Sequence, residues 1–89
     1  MNAIISVTGK DSVGIIAKVA NVCTEYGANI LDVSQTVMRD YFAMIMLVDT
    51  SKLTIMYDEF SDKLSLLGDS NGLRIHTMHE EIFNSMHRI

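Results

Sequence analysis

The segment Gly9-Lys10-Asp11-Ser12-Val13-Gly14-Ile15 joins a predicted strand to a predicted helix and decides how the chain begins to fold. The strand before it, Asn2 to Thr8, is apolar at Ile4, Ile5 and Val7. The helix after it has apolar residues at spacings of one, three and four, the pattern of an amphipathic helix. These residues are Ile15, Ile16, Val19, Val22, Cys23 and Tyr26. The segment is therefore a strand-to-helix turn bounded by glycines.

This turn has two candidate roles. Asp11 or Ser12 can accept hydrogen bonds from the first N–H groups of the helix, which would make it an ordinary capped helix start. Alternatively, unpaired N–H groups and the helix dipole form a partial positive site for a carboxylate or a phosphate. The local sequence leaves both roles open.

The composition predicts one small folded domain. With 89 residues the chain can bury a single modest core, and 48% apolar with 20% charged residues excludes a disordered chain. The net charge of −4 and the seven scattered Lys and Arg residues argue against a nucleic-acid partner, because such a partner requires a basic face. The longest apolar run, Tyr41 to Val48, is too short to cross a bilayer, so we expect no membrane partner.

The start of the sequence and its cysteine content indicate the compartment. The first residues lack the basic and apolar segments of a secretory signal, so we expect a cytoplasmic protein. The single cysteine, Cys23, excludes an internal disulfide and a cysteine-based zinc site. It falls on the apolar face of the first helix and is expected to be a small buried hydrophobe. We expect no cofactor.

The middle of the chain predicts two strands. Gly27 suits the left-handed position that ends the first helix. The segment from Ile30 to Met38 then alternates between apolar and polar residues. One side has Leu31, Val33 and Val37, and the other has Asp32, Ser34 and Thr36. The segment from Tyr41 to Asp49 is apolar on both faces, which predicts a central strand, and Arg39-Asp40 predicts a tight hairpin between the two.

The C-terminal half predicts a helix, a strand and a short terminal helix. Thr50 or Ser51 is expected to cap the second helix, whose apolar stripe recurs at three and four. The stripe consists of Leu53, Met56, Phe60, Leu64 and Leu67. After a loop at 68–72, the segment from Leu73 to Met78 alternates as a fourth strand, and a terminal helix starts at His79. The apolar residues of that helix are Ile82, Phe83, Met86 and Ile89.

This order of elements predicts an α+β domain of the ferredoxin-like class, βαββαβ. It has a four-stranded antiparallel sheet, two helices on one face and a short C-terminal helix. We expect residues 1–89 to form one domain, with the core in 1–79 and a helical tail in 80–89. Apolar residues at both odd and even positions in Phe42 to Val48 predict that the second sheet face is not polar. We therefore predict a homodimer, with the terminal helix covering what the partner does not.

The fold alone does not define a function. A metal-trafficking domain needs paired cysteines in the first loop, and an RNA-recognition domain needs aromatic and basic residues on its central strands. This sequence has a single cysteine, and its only adjacent aromatics, Tyr41 and Phe42, stand beside no basic cluster. An acylphosphatase-like enzyme needs an arginine in the first loop, where this chain offers only Lys10. No spacing places a histidine beside Ser6, Ser12 or Ser34, so we expect no enzymatic activity.

Three histidines, His76, His79 and His87, lie near the C-terminus beside Glu80 and Glu81. On a strand, His76 and His79 point to opposite faces, because the spacing between them is odd. We therefore expect no metal site here, and the sequence assigns these histidines no other role.

Three motifs in order resemble the ACT domain family, a class of small-molecule-sensing modules. Asp11-Ser12-Val13-Gly14-Ile15 fits the family's first turn, and Asn29-Ile30 fits the pair that opens its second strand. The segments Gly9 to Asp11, Asn29 to Thr36 and Phe42 to Met44 are similar to those of small stand-alone ACT proteins. They are also similar to the N-terminal ACT domains of formyltetrahydrofolate deformylases and glycine-cleavage repressors. The resemblance covers nearly the whole chain.

The resemblance implies a non-enzymatic regulatory domain that binds an amino acid or similar small effector at a homodimer interface. A separate enzyme or regulator would then read its state. The ligand-binding residues it implies are Asp11, Ser12, Val13, Gly14, Ile15, Asn29 and Ile30. Asp11 would pair with an ammonium group or cap the helix, and Asn29 would contact the ligand or bond its own turn. The alternative function is a protein-interaction or dimerisation module with no small-molecule ligand.

Overall fold

The computed structural model describes residues 1–10 and 13–86. The elements in chain order are β1 (Asn2–Lys10), α1 (Ile15–Tyr26), β2 (Asn29–Met38), β3 (Tyr41–Asp49), α2 (Tyr57–Ser70), β4 (Leu73–His79) and α3 (Glu80–Met86). The predicted βαββαβ order with a short terminal helix is confirmed, although β1 runs two residues past Thr8 and α3 begins at Glu80 rather than His79. His87 and Ile89 lie outside the described residues. Among those described, no helix is long and apolar enough to cross a membrane.

The four strands form one antiparallel sheet in the order β2-β3-β1-β4. The predicted central position of β3 is confirmed, since it pairs with β1 on one side and β2 on the other. In this order β2 and β4 are the edge strands. The outer edge of each therefore has no partner strand in the described part of the chain.

The core lies between one face of the sheet and helices α1 and α2. Alternate residues of the two central strands point into it, as the period of a strand requires. The buried residues from β1 and β3 are Ala3, Ile5, Val7, Phe42, Met44, Met46 and Val48, and those from the helices are Ile15, Val19, Cys23, Phe60 and Leu64. Burial raises the pKa of the Cys23 thiol to about 11, so this cysteine is a neutral packing residue, as expected.

The helix starts differ from the predicted ones. Gly14 occupies the N-cap position of α1 with a left-handed backbone, φ 82°, so assigning that position to Asp11 or Ser12 was wrong. Asp11 and Ser12 themselves lie outside the described residues. Gly27 ends α1 in the left-handed conformation, as predicted, and its N–H donates to the carbonyls of Cys23 and Thr24.

The second helix begins at Tyr57, after the N-cap Met56, so neither Thr50 nor Ser51 caps it. Thr50 instead fastens the N-terminus, because both its N–H and its hydroxyl donate to the carbonyl of Met1 at 2.9 Å. Thr54 likewise donates from its N–H and its hydroxyl to the carbonyl of Tyr26. These bonds hold 50–56 as a connection, from which Leu53 still packs against the core.

The second sheet face carries both apolar and polar residues, which agrees with the expectation that it is not polar. Its apolar row is Tyr41, Ala43, Ile45 and Leu47 of β3, and Ile4 of β1 and Met38 of β2 lie on the same face. The polar residues beside that row are Ser6, Thr8, Asp32, Ser34 and Thr36. One corner of this face is covered, because α3 contacts β1 and β4 and Ile4 is only 6% exposed.

Gly27→Ala is expected to destabilise the fold more than Gly72→Ala. Both glycines have left-handed backbones, φ 82° and 68°, where an alanine costs about 1 kcal/mol or more. A Cβ on Gly27 would also collide with the backbone carbonyl of Lys52, whereas on Gly72 it would meet no atom within 4 Å. Urea unfolding followed by circular dichroism measures both losses. Equal losses in the free energy of unfolding would show that the close approach of the Lys52 carbonyl to Gly27 adds no penalty.

Candidate ligand-binding groove

The start of α1 presents backbone N–H groups that the helix itself does not use. The first intrahelical bond runs from the N–H of Lys18 to the carbonyl of Gly14 at 3.1 Å. The N–H groups of Ile15, Ile16 and Ala17 therefore have no acceptor within the helix. The first turn of α1, all of it described, has no acidic side chain to offset the positive end of the helix dipole. This end of α1 can thus accommodate an anion.

An open groove of about 630 Å³ lies between the start of α1 and the far end of β2. Its lining residues are Gly14, Ile15, Ile16, Ala17, Gln35, Val37 and Phe42. Gln35 faces the helix side of the sheet, because it pairs with Met44, whose side chain lies in the core. Val37 faces the same side through its pairing with Phe42. The groove therefore joins the N–H groups at the start of α1 to an apolar surface on the edge strand.

Three of the predicted turn residues are described. Val13 is 92% exposed, so its side chain extends into solvent. Ile15 is buried in the core, so it offers the groove mainly its backbone. A Cβ on Gly14 would meet no atom within 4 Å, which means that the backbone there opens onto free space. The described part of the turn, residues 13–15, thus presents mainly its main chain to the groove.

The predicted residues Asn29 and Ile30 do not join the turn within one copy of the chain. They begin β2, just after α1 ends, and the 12 residues of α1 span about 18 Å. Asn29 pairs with Asp49 and lines a separate polar depression beside Lys52. Ile30 packs against the core of its own copy. The two predicted groups of ligand contacts therefore lie at opposite ends of α1.

Most residues of the groove were not predicted from the sequence. Those not singled out as site residues are Ile16, Ala17, Gln35, Val37 and Phe42. The pairing confirms that Val33 and Val37 face one side while Ser34 and Thr36 face the other. Leu31 has no partner on β3, because the register shifts between Ile30 and Asp32. The polar Gln35 on the side of Val33 and Val37 was the one available signal of a site.

The two histidines that the structure describes, His76 and His79, lie on opposite faces of β4. His79 stacks on Tyr57 with ring centroids 4.2 Å apart and an interplanar angle of 15°. His76 is exposed on the other face of β4, as its odd spacing from His79 predicts. The described residues contain no group of three or more His, Cys, Asp and Glu side chains that could hold a metal ion.

The fold and the groove define a small ferredoxin-like module with a ligand-sized depression at one edge. The sequence profile of the ACT domain family matches residues 2–78. A UPF0237 protein of Listeria innocua is 46% identical to this chain over 89 residues, which is 100% of both proteins. The chain belongs to the ACT domain family, as its motifs implied. ACT domains are regulatory modules that typically bind amino acids.

Solved structures agree with this assignment. The chain is similar to an ACT domain protein from Streptococcus pneumoniae, with a TM-score of 0.80, 35% identity and 93% of each chain covered. It is also similar to a formyltetrahydrofolate deformylase from Pseudomonas syringae, with a TM-score of 0.78 and 19% identity, over 86% of this chain and 26% of that one. The second likeness shows the fold alone. Together they confirm the predicted ferredoxin-like architecture.

Proposed function

We propose that this protein is a non-enzymatic sensor that binds an amino acid at a homodimer interface and is read by a separate enzyme or regulator. The observation that carries the proposal is the groove, which joins N–H groups that α1 itself does not use to a strand at the edge of the sheet. We also propose that the protein is cytoplasmic. The ligand would favour one dimer geometry, and the partner protein would respond to that shift in population.

The ligand carboxylate would accept hydrogen bonds from the N–H groups of Ile15, Ile16 and Ala17. Helix starts bind carboxylates through such groups and through the helix dipole. Gly14 supports close approach, because it has no side chain to fill the space in front of the turn. Asp11, Ser12 and Val13 would complete the turn around the ligand. In this arrangement Asp11 pairs with the ammonium group of the amino acid.

The outer edge of β2 supports dimerisation through this strand. Its ten residues include one charged side chain, Asp32, and no proline, so beyond the register shift at Ile30 and Asp32 it has little of the usual protection of an exposed edge. Leu31, Val37 and Met38 are 48%, 61% and 68% exposed. The other edge strand, β4, is shorter and carries Arg74 and two histidines. A second copy of the chain is therefore proposed to pair with β2.

Antiparallel pairing of β2 with its own copy about a two-fold axis would set the start of one strand beside the end of the other. The groove lies at the end of β2, beside Val37. Asn29 and Ile30 of the second copy would therefore approach the groove of the first. The Asn29 side-chain oxygen would accept from the ligand ammonium group. Such pairing would unite the two contact groups that a single copy keeps apart.

The alternative is an interaction or dimerisation module without a small-molecule ligand. The exposed β3 residues Tyr41 and Ile45 on the second sheet face favour it, since they are 63% and 42% exposed. In that case the groove would be unused, and no amino acid would stabilise the fold.

Ala17→Glu is expected to abolish amino-acid binding without weakening the fold. Its carboxylate would repel the ligand carboxylate, yet an acid in the first turn stabilises a helix by about 0.3–1 kcal/mol. The matched control is Asn21→Glu, which adds the same charge at an exposed position one turn further along α1. Thermal unfolding with each of the twenty amino acids measures binding, since ligand at a hundred times its Kd adds about 2.7 kcal/mol.

The wild type and Asn21→Glu should show the same stabilising amino acid, and Ala17→Glu should show none. An undiminished response in Ala17→Glu would contradict carboxylate binding at the start of α1. A wild type that no amino acid stabilises would favour the interaction module.

Val33→Lys is expected to convert the dimer to a monomer. Val33 lies near the middle of β2, so the lysines of two paired strands would lie close together and repel each other. Leu66→Lys is the control, because Leu66 is an exposed apolar residue on α2. Sedimentation equilibrium at micromolar concentration should give a dimer for the wild type and the control. A Val33→Lys variant that is still dimeric would show that the interface lies elsewhere on the protein. A monomeric wild type would contradict the proposed dimer.

A further inference from the structure

The described lining of the groove offers no ionic partner to the side chain of a ligand. None of its seven lining residues is charged, among the residues that the structure describes. Lys18, the next residue of α1, is directed away, since its Nζ donates to the Asn71 side-chain oxygen at 2.7 Å. Gln35 is the one lining residue with a polar side chain. The surface beyond the helix N–H groups is therefore neutral and almost wholly apolar.

A neutral apolar surface discriminates strongly between ligand side chains. A charged side chain that loses water there without an ionic partner is penalised, and a hydroxyl or amide is penalised less. A buried methylene, by contrast, strengthens binding by about fourfold. The surfaces of Ile16, Val37 and Phe42 therefore strengthen the binding of ligands with aliphatic or aromatic side chains and weaken the binding of ligands with ionised ones.

The proposed dimer would strengthen this selection. The groove is open on the side of β2, where the first residues of β2 from the second copy would lie. Among them Leu31 is 48% exposed and has no partner on β3. Its side chain would add apolar cover and would exclude water from the ligand.

We infer that the groove selects a free amino acid with an uncharged, apolar side chain, and that Gln35 determines this specificity. The inference rests on the proposed function, since it concerns the same groove. Gln35 lines the same groove as Val37 and faces the helix side of the sheet, so a charge at this position would face the ligand. Changing it should alter which amino acid binds.

Isothermal titration calorimetry with near-isosteric pairs of free amino acids tests the selection. Leucine should bind at least tenfold more tightly than asparagine, and valine at least tenfold more tightly than threonine. Aspartate and lysine should bind more weakly than leucine by a hundredfold or more. Tighter binding of a charged or hydroxylated amino acid, itself lost in Ala17→Glu, would overturn the selectivity while leaving the sensor proposal standing. Failure of all twenty amino acids to bind would overturn both.

The role of Gln35 is tested by Gln35→Glu, which changes charge with little change in shape. The readout is the ratio of leucine to lysine affinity, because repulsion of the common carboxylate cancels in a ratio. The ratio should fall at least tenfold in Gln35→Glu. Thr36→Glu is the matched control, because Thr36 is the next residue on β2 and faces the other side of the sheet. An unchanged ratio in Gln35→Glu, or an equal fall in Thr36→Glu, would overturn the assignment.

Discussion

The pairing of Phe42 on β3 is the constraint on which the candidate site depends. Phe42 lies opposite Gly9 of β1 on one side and opposite Val37 of β2 on the other. This register sets the end of β1, and hence the turn into α1, at the same end of the sheet as the end of β2. The buried Phe42 side chain also forms part of the groove. A shift of one residue would reverse which side chains face the helices, and the groove would lose both Gln35 and Val37.

Much of the fold could be predicted because most elements have a clear sequence pattern. The alternation in β2 and β4, the wholly apolar run in β3 and the apolar spacing in α1 indicated these elements, and Gly27 indicated where α1 ends. The start of α2 was mispredicted because Thr50 is bonded to Met1, a contact between residues far apart in sequence. Local rules for helix caps cannot detect such a contact.

The candidate site was less predictable than the fold. The glycine-bounded turn was found because its residues are adjacent in sequence. Gln35 and Val37 were not, because their position beside Gly14 results from pairing across the sheet. Asn29 was identified by family resemblance, yet within one copy it lies at the far end of α1. A sequence pattern does not indicate whether two motifs meet within one copy or only between two.

A site shared between two copies would explain how so small a domain transmits a signal. A ligand that contacts both copies stabilises the dimer over the separated chains by mass action. The partner protein then needs only to distinguish the dimer geometry that the ligand favours. In a single copy, the same groove would bind its ligand on an open surface, and there would be no second copy whose position the ligand could change.

Ligand binding to a mixed dimer tests this central claim most directly. One copy would carry Ala17→Glu and the other Asn29→Ala, with different affinity tags so that the mixed dimer can be purified. If each site combines the turn of one copy with Asn29 of the other, one site of the mixed dimer has both changes and the other has neither. Calorimetry should then show half the wild-type stoichiometry at wild-type affinity, while each variant homodimer shows no such binding. A mixed dimer that binds no better than the variant homodimers would contradict a shared site.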